Sequence, residues 1–387
     1  MGLLLRFLYI HPIDSMNFKF LIHGHSHVAM LGWVYLSIQV FIVKWYLKNN
    51  DEKKYKRLFW ITQLSIIGML FSFPFQGYAI VSICFSTLHI FCSYTLAYYS
   101  LKEIKTDTPA NKFMRLAIYF MILSTIGVWC LGPTVVKLGK SSVYYQLAIQ
   151  FFLHFQFNGW FLIAVLSLLF KNLNIQENNF TKNIYPLVIV TVILTYAFPV
   201  SWHLKYSWLY WVNSVGVTFQ LIMFYYLFII LKRPLLESFK KRFAVIKNLY
   251  RFAIISFTFK VLLQALTLIP MIAFQVHLYR NLVIGFIHLI MLGVISCLLF
   301  ANFHHLNKIT KESYFKKGVY LFIIGIFSTE ALLFAQGTLF MLKTEGAIPN
   351  YYLLLFLASL ILVIGLVNLN ISITPSRNPS LKKILKK

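Results

Sequence analysis

Apolar residues fill eleven long runs of this chain, and polar residues collect at the joints between them. The runs cover roughly 20–46, 58–77, 79–101, 114–131, 144–170, 184–202, 207–231, 252–274, 280–303, 317–341 and 350–372. A helix needs about 20 mostly apolar residues to cross the hydrocarbon of a bilayer. The pattern therefore predicts an all-α polytopic membrane protein with eleven transmembrane helices, here spans 1 to 11. It divides the chain into an N-terminal segment over 1–19, one transmembrane domain over 20–372 and a basic tail over 373–387.

The charged joints add direction. Lys44 to Arg57, Lys102 to Arg115, Lys171 with Lys182, Lys232 to Arg251, Lys308 to Lys317 and Arg377 to Lys387 fall on every second connection. Cytoplasmic loops carry the excess of Lys and Arg. The expected topology thus has the N-terminus outside, the C-terminus in the cytoplasm and the chain in the cell's inner membrane. The other connections are short and nearly neutral, apart from Lys137, Lys140 and Lys343.

Composition agrees. The 387 residues are 59% hydrophobic, 18% aromatic and 12% charged, with mean hydropathy +0.73. The net charge of +26 sits in the joints, so it marks topology and not nucleic-acid binding. Cys84, Cys92, Cys130 and Cys297 are scattered through apolar runs, with no CxxC and no CxxCH. They offer neither a disulfide framework nor covalent haem attachment. The apolar start around Arg6 lacks a small-residue cleavage site, which argues against a removed signal peptide.

Within three spans one phrase recurs: His27-Val-Ala-Met-Leu-Gly32, His154-Phe-Gln-Phe-Asn-Gly159 and His288-Leu-Ile-Met-Leu-Gly293. The histidines are 127 and 134 residues apart and fall on spans 1, 5 and 9. The repeat unit is therefore four helices, giving three pseudo-repeated four-helix arcs. All three spans run in the same direction, and their histidines lie roughly 10–15 Å in from the outer end. An intramembrane ionisable residue is a functional candidate because burying it is costly. Gly32 and Gly293 allow a flat ligand or a neighbouring helix to come close.

Other polar residues extend the candidate set. His23 and His27 share a helix face and suit a metal, while His25 points away. His203 lies at the outer end of span 6, level with the three motif histidines. Arg280 at the outer rim suits a carboxylate, such as a haem propionate, or serves as an interfacial anchor. His89 reads as a hydrogen-bonded core residue, and His304 and His305 as interfacial. Lys260 and Glu330 are the deepest charges, placed for proton transfer or internal pairing.

These motifs resemble those of the haem–copper oxidase subunit I superfamily, especially its nitric oxide reductase branch. That family has three four-helix arcs, with ligand histidines on its second, sixth and tenth helices. Loss of the first helix would make these spans 1, 5 and 9. The resemblance implies that His27 and His288 form the axial pair of a low-spin, b-type haem (heme), and that His154 ligates an active-site metal. Copper or another metal near His154 would draw on His23, His25 or His203. Two departures remove pieces of an oxygen-reducing centre: Phe286 stands where the family's tenth helix has a first histidine, and span 6 offers only His203. The motifs are also similar to those of the NnrS family of haem- and copper-containing membrane proteins, although Val28 and Ala29 replace its usual Glu-Met.

Three functions stay open on the sequence. One is a redox protein exchanging electrons with cytochrome c or quinol and using dioxygen or nitric oxide. Another is a non-catalytic haem protein responding to nitric oxide. The third is a transporter or structural subunit. Haem, membrane lipid and a redox donor are the expected partners, and nucleic acid is not.

Overall fold

A computed structural model describes residues 1–47, 52–304, 309, 311–343 and 346–373. The basic tail beyond 373, His305 and Lys308 lie outside the described residues. A short helix, α1 (Gly2–Phe7), precedes eleven long ones. These are α2 (Phe18–Trp45), α3 (Glu52–Gln76), α4 (Ile80–Glu103), α5 (Pro109–Leu138), α6 (Val143–Asn172) and α7 (Asn179–Ser201). The chain continues with α8 (Ser207–Lys241), α9 (Ala244–Leu268), α10 (Arg280–Phe303), α11 (Glu312–Met341) and α12 (Tyr351–Ser372). They correspond in order to spans 1 to 11. The described residues hold no strand, only an isolated bridge between Ile309 and Ile373. The chain is an all-α, multi-pass membrane protein.

The helix starts are written in the joints. Asn17, Thr108, Ser142 and Asn178 each accept a backbone N–H of the first turn of α2, α5, α6 and α7. Such caps satisfy donors that a helix start leaves open. Pro109 opens α5, where its missing N–H costs nothing. Span 8 was expected to reach residue 274; α9 stops at Leu268, and Pro270 opens a separate short helix, Pro270–Gln275. Its ring cannot sit inside a continuous helix without breaking a bond. Span 7 instead runs ten residues past its expected end, to Lys241, with Pro234 inside the helix.

The motif-bearing helices α2, α6 and α10 touch one another in pairs at the centre. Their apolar stretches are 50%, 72% and 61% buried, against at most 44% for any other span. Trp33 of α2 donates to Ser296 Oγ of α10 at 2.8 Å, tying two of them together. The remaining helices follow one another around this core, each packed on its neighbours in the chain. The ring closes through α1, which packs on α12 and α2. The outward faces carry exposed apolar side chains such as Val136 and Phe75. Hydrocarbon is their natural neighbour, since large apolar patches are rare on soluble monomers.

Candidate functional site

Each motif histidine is the last residue of an α-helical stretch. The next residue opens a π-helical segment: Val28–Val34, Phe155–Phe161 and Leu289–Ser296. Short π segments within α-helices are rare and collect at functional sites. The repeat is thus a repeat of backbone geometry as well as of residues. Counted from the helix starts, the three histidines lie about 14, 17 and 12 Å deep.

The motif glycines sit inside these π segments and belong to helix packing. A methyl at Gly32 would stand 3.2 Å from Ile66 of α3. At Gly159 it would meet Phe120 of α5 at 2.8 Å, and at Gly293 Ser256 Oγ of α9 at 2.7 Å. All three let a neighbouring helix approach more closely than a side chain would allow.

The three imidazoles point the same way in their respective arcs, each toward the next helix along. His27 stacks on Phe73 of α3 with ring centres 4.3 Å apart. Its Nδ1–H donates to the His23 carbonyl at 2.9 Å, and Nε2 faces the Tyr78 hydroxyl at 3.5 Å. His154 donates from Nε2 to the Val192 carbonyl of α7 at 2.8 Å. His288 directs Nδ1 toward Glu330 of α11, 3.8 Å away. His27 and His288 therefore face different arcs, whereas the family resemblance implied that they form one axial pair.

Another histidine of α2 lies within electrostatic range of His288. His25 precedes His27 by two residues, about 200° around the helix, and so faces the opposite arc. His25 and Arg6 are the electrostatic neighbours of His288. Arg6 also acts on His25, Glu330 and Tyr351. The equivalent positions in α6 and α10 are Phe152 and Phe286, so only α2 offers an imidazole on this second face.

The resulting cluster lies between α1, α2, α10, α11 and α12. His288 keeps 25% of its side chain exposed although Leu289 and Ile290 beside it are buried. Glu330 is 5% exposed, and among the described residues neither carboxyl oxygen has a hydrogen-bond partner. The buried Tyr351 hydroxyl also lacks one. Buried polar groups are normally satisfied, and each exception asks for an explanation. Two glycines make room here. A methyl at Gly285 would stand 3.4 Å from Glu330 Oε2, and one at Gly2 would stand 3.1 Å from the His25 ring. Arg280 is exposed at the start of α10 and acts electrostatically on Arg6.

Glu330 already stood out in the sequence as a deep charge, but Arg6 and Tyr351 joined this cluster without a motif to announce them. The available signal was Arg6 itself, a lone charge in an apolar stretch placed in a segment expected to lie outside.

The proposed metal set is dispersed. His23 lies edge-on to Tyr78 with ring centres 4.7 Å apart. His203 lies beyond α7 next to His277, where partial burial holds its imidazole below the ordinary value. Among the described residues no three His, Cys, Asp or Glu side chains come together as a metal site. His89 is buried, contacts Tyr35 edge-on and meets Ser93 Oγ at 3.4 Å through Nδ1. No known family model matches the chain, and no characterised protein matches it significantly.

Proposed function

We propose that this chain is a haem-binding membrane redox protein that holds one b-type haem between α2 and α10, with His25 and His288 as axial ligands. The observation that carries the reading is the cluster of His25, His288 and Arg6 beside a carboxyl group with no hydrogen-bond partner. The residues suit the group chemically. Two neutral imidazoles from separate helices are standard low-spin iron ligands. Glu330 on the Nδ1 side of His288 leaves Nε2 as the ligand atom, the usual role of a carboxylate behind a metal-bound histidine. Arg6 and Arg280 supply fork-shaped donors suited to propionates.

When bound, the haem would supply one-electron transfer. Bis-imidazole ligation leaves iron no open coordination position, so the arrangement favours passing electrons over binding a substrate at that iron. His154 has committed its Nε2–H to a backbone carbonyl, which leaves only Nδ1 as a ligand atom. This favours an electron carrier or a nitric oxide-responsive protein of the NnrS kind over a complete reductase. The repeat and its spacing support a divergent relationship to haem–copper oxidase subunit I. The alternating basic joints support an inner-membrane protein with its N-terminus outside.

The test is a pyridine haemochrome assay on protein purified from cells supplied with haem precursors. The reading expects one b-type haem per chain, lost in His25→Ala and in His288→Ala and kept in His89→Ala. A haem-free wild-type protein would sink it.

A further inference from the structure

A second unsatisfied site lies in the arc of α6 to α9, apart from the cluster described above. A cavity of about 630 Å³ runs along α8 from Gln220 to Phe239, a length of about 28 Å. Its walls are almost wholly apolar; buried polar groups line it near Gln220, and the exposed Lys232 lines it further along α8. Lys260 of α9, 3% exposed, has no ion pair and no hydrogen bond among the described residues. Gln220 is 1% exposed, and among the described residues neither its amide nitrogen nor its oxygen has a partner. Thr191 Oγ1 and Asn158 Oδ1 line the cavity too, also without partners among the described residues.

A buried ammonium without a counter-charge is costly. Lys260 of α9 and Gln220 of α8 line the same cavity, and such donors suit an anionic acceptor. Phe228, Leu236 and Ile254 line the cavity yet are exposed, so its side opens onto the lipid-facing surface. A ligand arriving that way must dissolve in hydrocarbon and still carry an acceptor for Lys260 and Gln220.

We propose that this groove binds a long-chain carboxylic acid, its carboxylate against Lys260 and Gln220 and its alkyl chain along α8. The length of the groove suits an extended acyl chain, and Lys260, the buried lysine of its lining, suits a single carboxylate, whereas Lys232 is exposed. The site shares no residue with the histidine cluster, so it stands whether or not the chain carries haem.

The test uses palmitic acid bearing a mid-chain diazirine, and the corresponding alcohol, on the full-length protein in nanodiscs. Photolabelled peptides are read by mass spectrometry. The acid is expected to label α8 around Gln220–Phe228 and α9 around Phe257. Lys260→Met should lower that labelling about tenfold, the share of one charge-assisted contact. Lys260→Arg should retain it, which separates charge from folding. Gln220→Leu should weaken it by a smaller factor. Equal labelling by the alcohol, undiminished labelling in Lys260→Met, or labelling only elsewhere would overturn the proposal.

Discussion

The two ends of the central helices treat buried polar groups in opposite ways. At the end where α6 and α10 finish, Asn172 donates to Tyr250 at 2.8 Å and to Asn302 at 2.6 Å. Tyr250 donates to Asn302 Oδ1 at 3.2 Å, and Arg242 to Asn172 Oδ1 at 3.0 Å. Only Asn302 Nδ2 in this clasp lacks a partner. At the other end Glu330, His288 and Arg6 lie close, yet among the described residues both Glu330 oxygens are without hydrogen bonds. A satisfied network fixes helices to one another. An unsatisfied one of equal burial costs free energy, and chains tolerate that cost where a ligand completes the set.

Substitutions can break this contrast. The largest effect is expected at the open end: His288→Ala or His25→Ala should remove the low-spin haem spectrum while the protein still purifies as a single species. Next, Asn302→Ala should leave haem content intact but destabilise the fold by about 2–3 kcal/mol, because buried donors on Asn172 and Tyr250 lose their acceptor. Thermal unfolding in detergent reads that loss.

Glu330→Gln should behave in the reverse sense. It exchanges a buried carboxyl that makes no hydrogen bond among the described residues for a neutral amide, so the thermal midpoint should hold or rise. Haem affinity should fall about tenfold or more, as when the support behind a ligand histidine is removed. A lowered midpoint with unchanged haem affinity would assign Glu330 to the clasp's kind of role.

The smallest effect lies outside the spans. Partial burial lowers the His203 and His277 imidazoles, and His203 and Lys205 add to the effect at His277. A lowered imidazole means that the unfolded connection takes up protons more readily than the folded one. The stability of these connections should therefore be present above about pH 6.5 and fall as the pH drops below it. Hydrogen exchange over the connection around His203, compared at pH 7.5 and 5.5, measures it. Faster opening at pH 7.5 would reverse the sign.

The contrast also shows what a sequence can carry. Eleven spans were legible because hydrocarbon thickness sets a length that apolar runs must meet. The three histidines were legible because they recur at a four-helix interval. Where they point was not legible. Each lies at the threshold of a π segment, and rotation about the helix axis there departs from the regular 100° per residue that face assignment assumes. His25 read correctly as turned away from His27, but the sequence did not show that its face meets the arc of Arg6 and His288. The six residues of α1 were too few for a periodic pattern, so the return of Arg6 toward His288 left no trace beyond a lone charge. Pro270 ended α9 earlier than its apolar run suggested, since hydropathy does not register a missing N–H.

We propose above all that a haem binds between His25 of α2 and His288 of α10. The most direct test is the reduced-minus-oxidised spectrum of the wild-type protein beside His25→Ala, His27→Ala and His288→Ala, at matched protein concentration. The account predicts a low-spin b-type spectrum that His27→Ala retains and the other two lose. A spectrum lost in His27→Ala and retained in His25→Ala would contradict it.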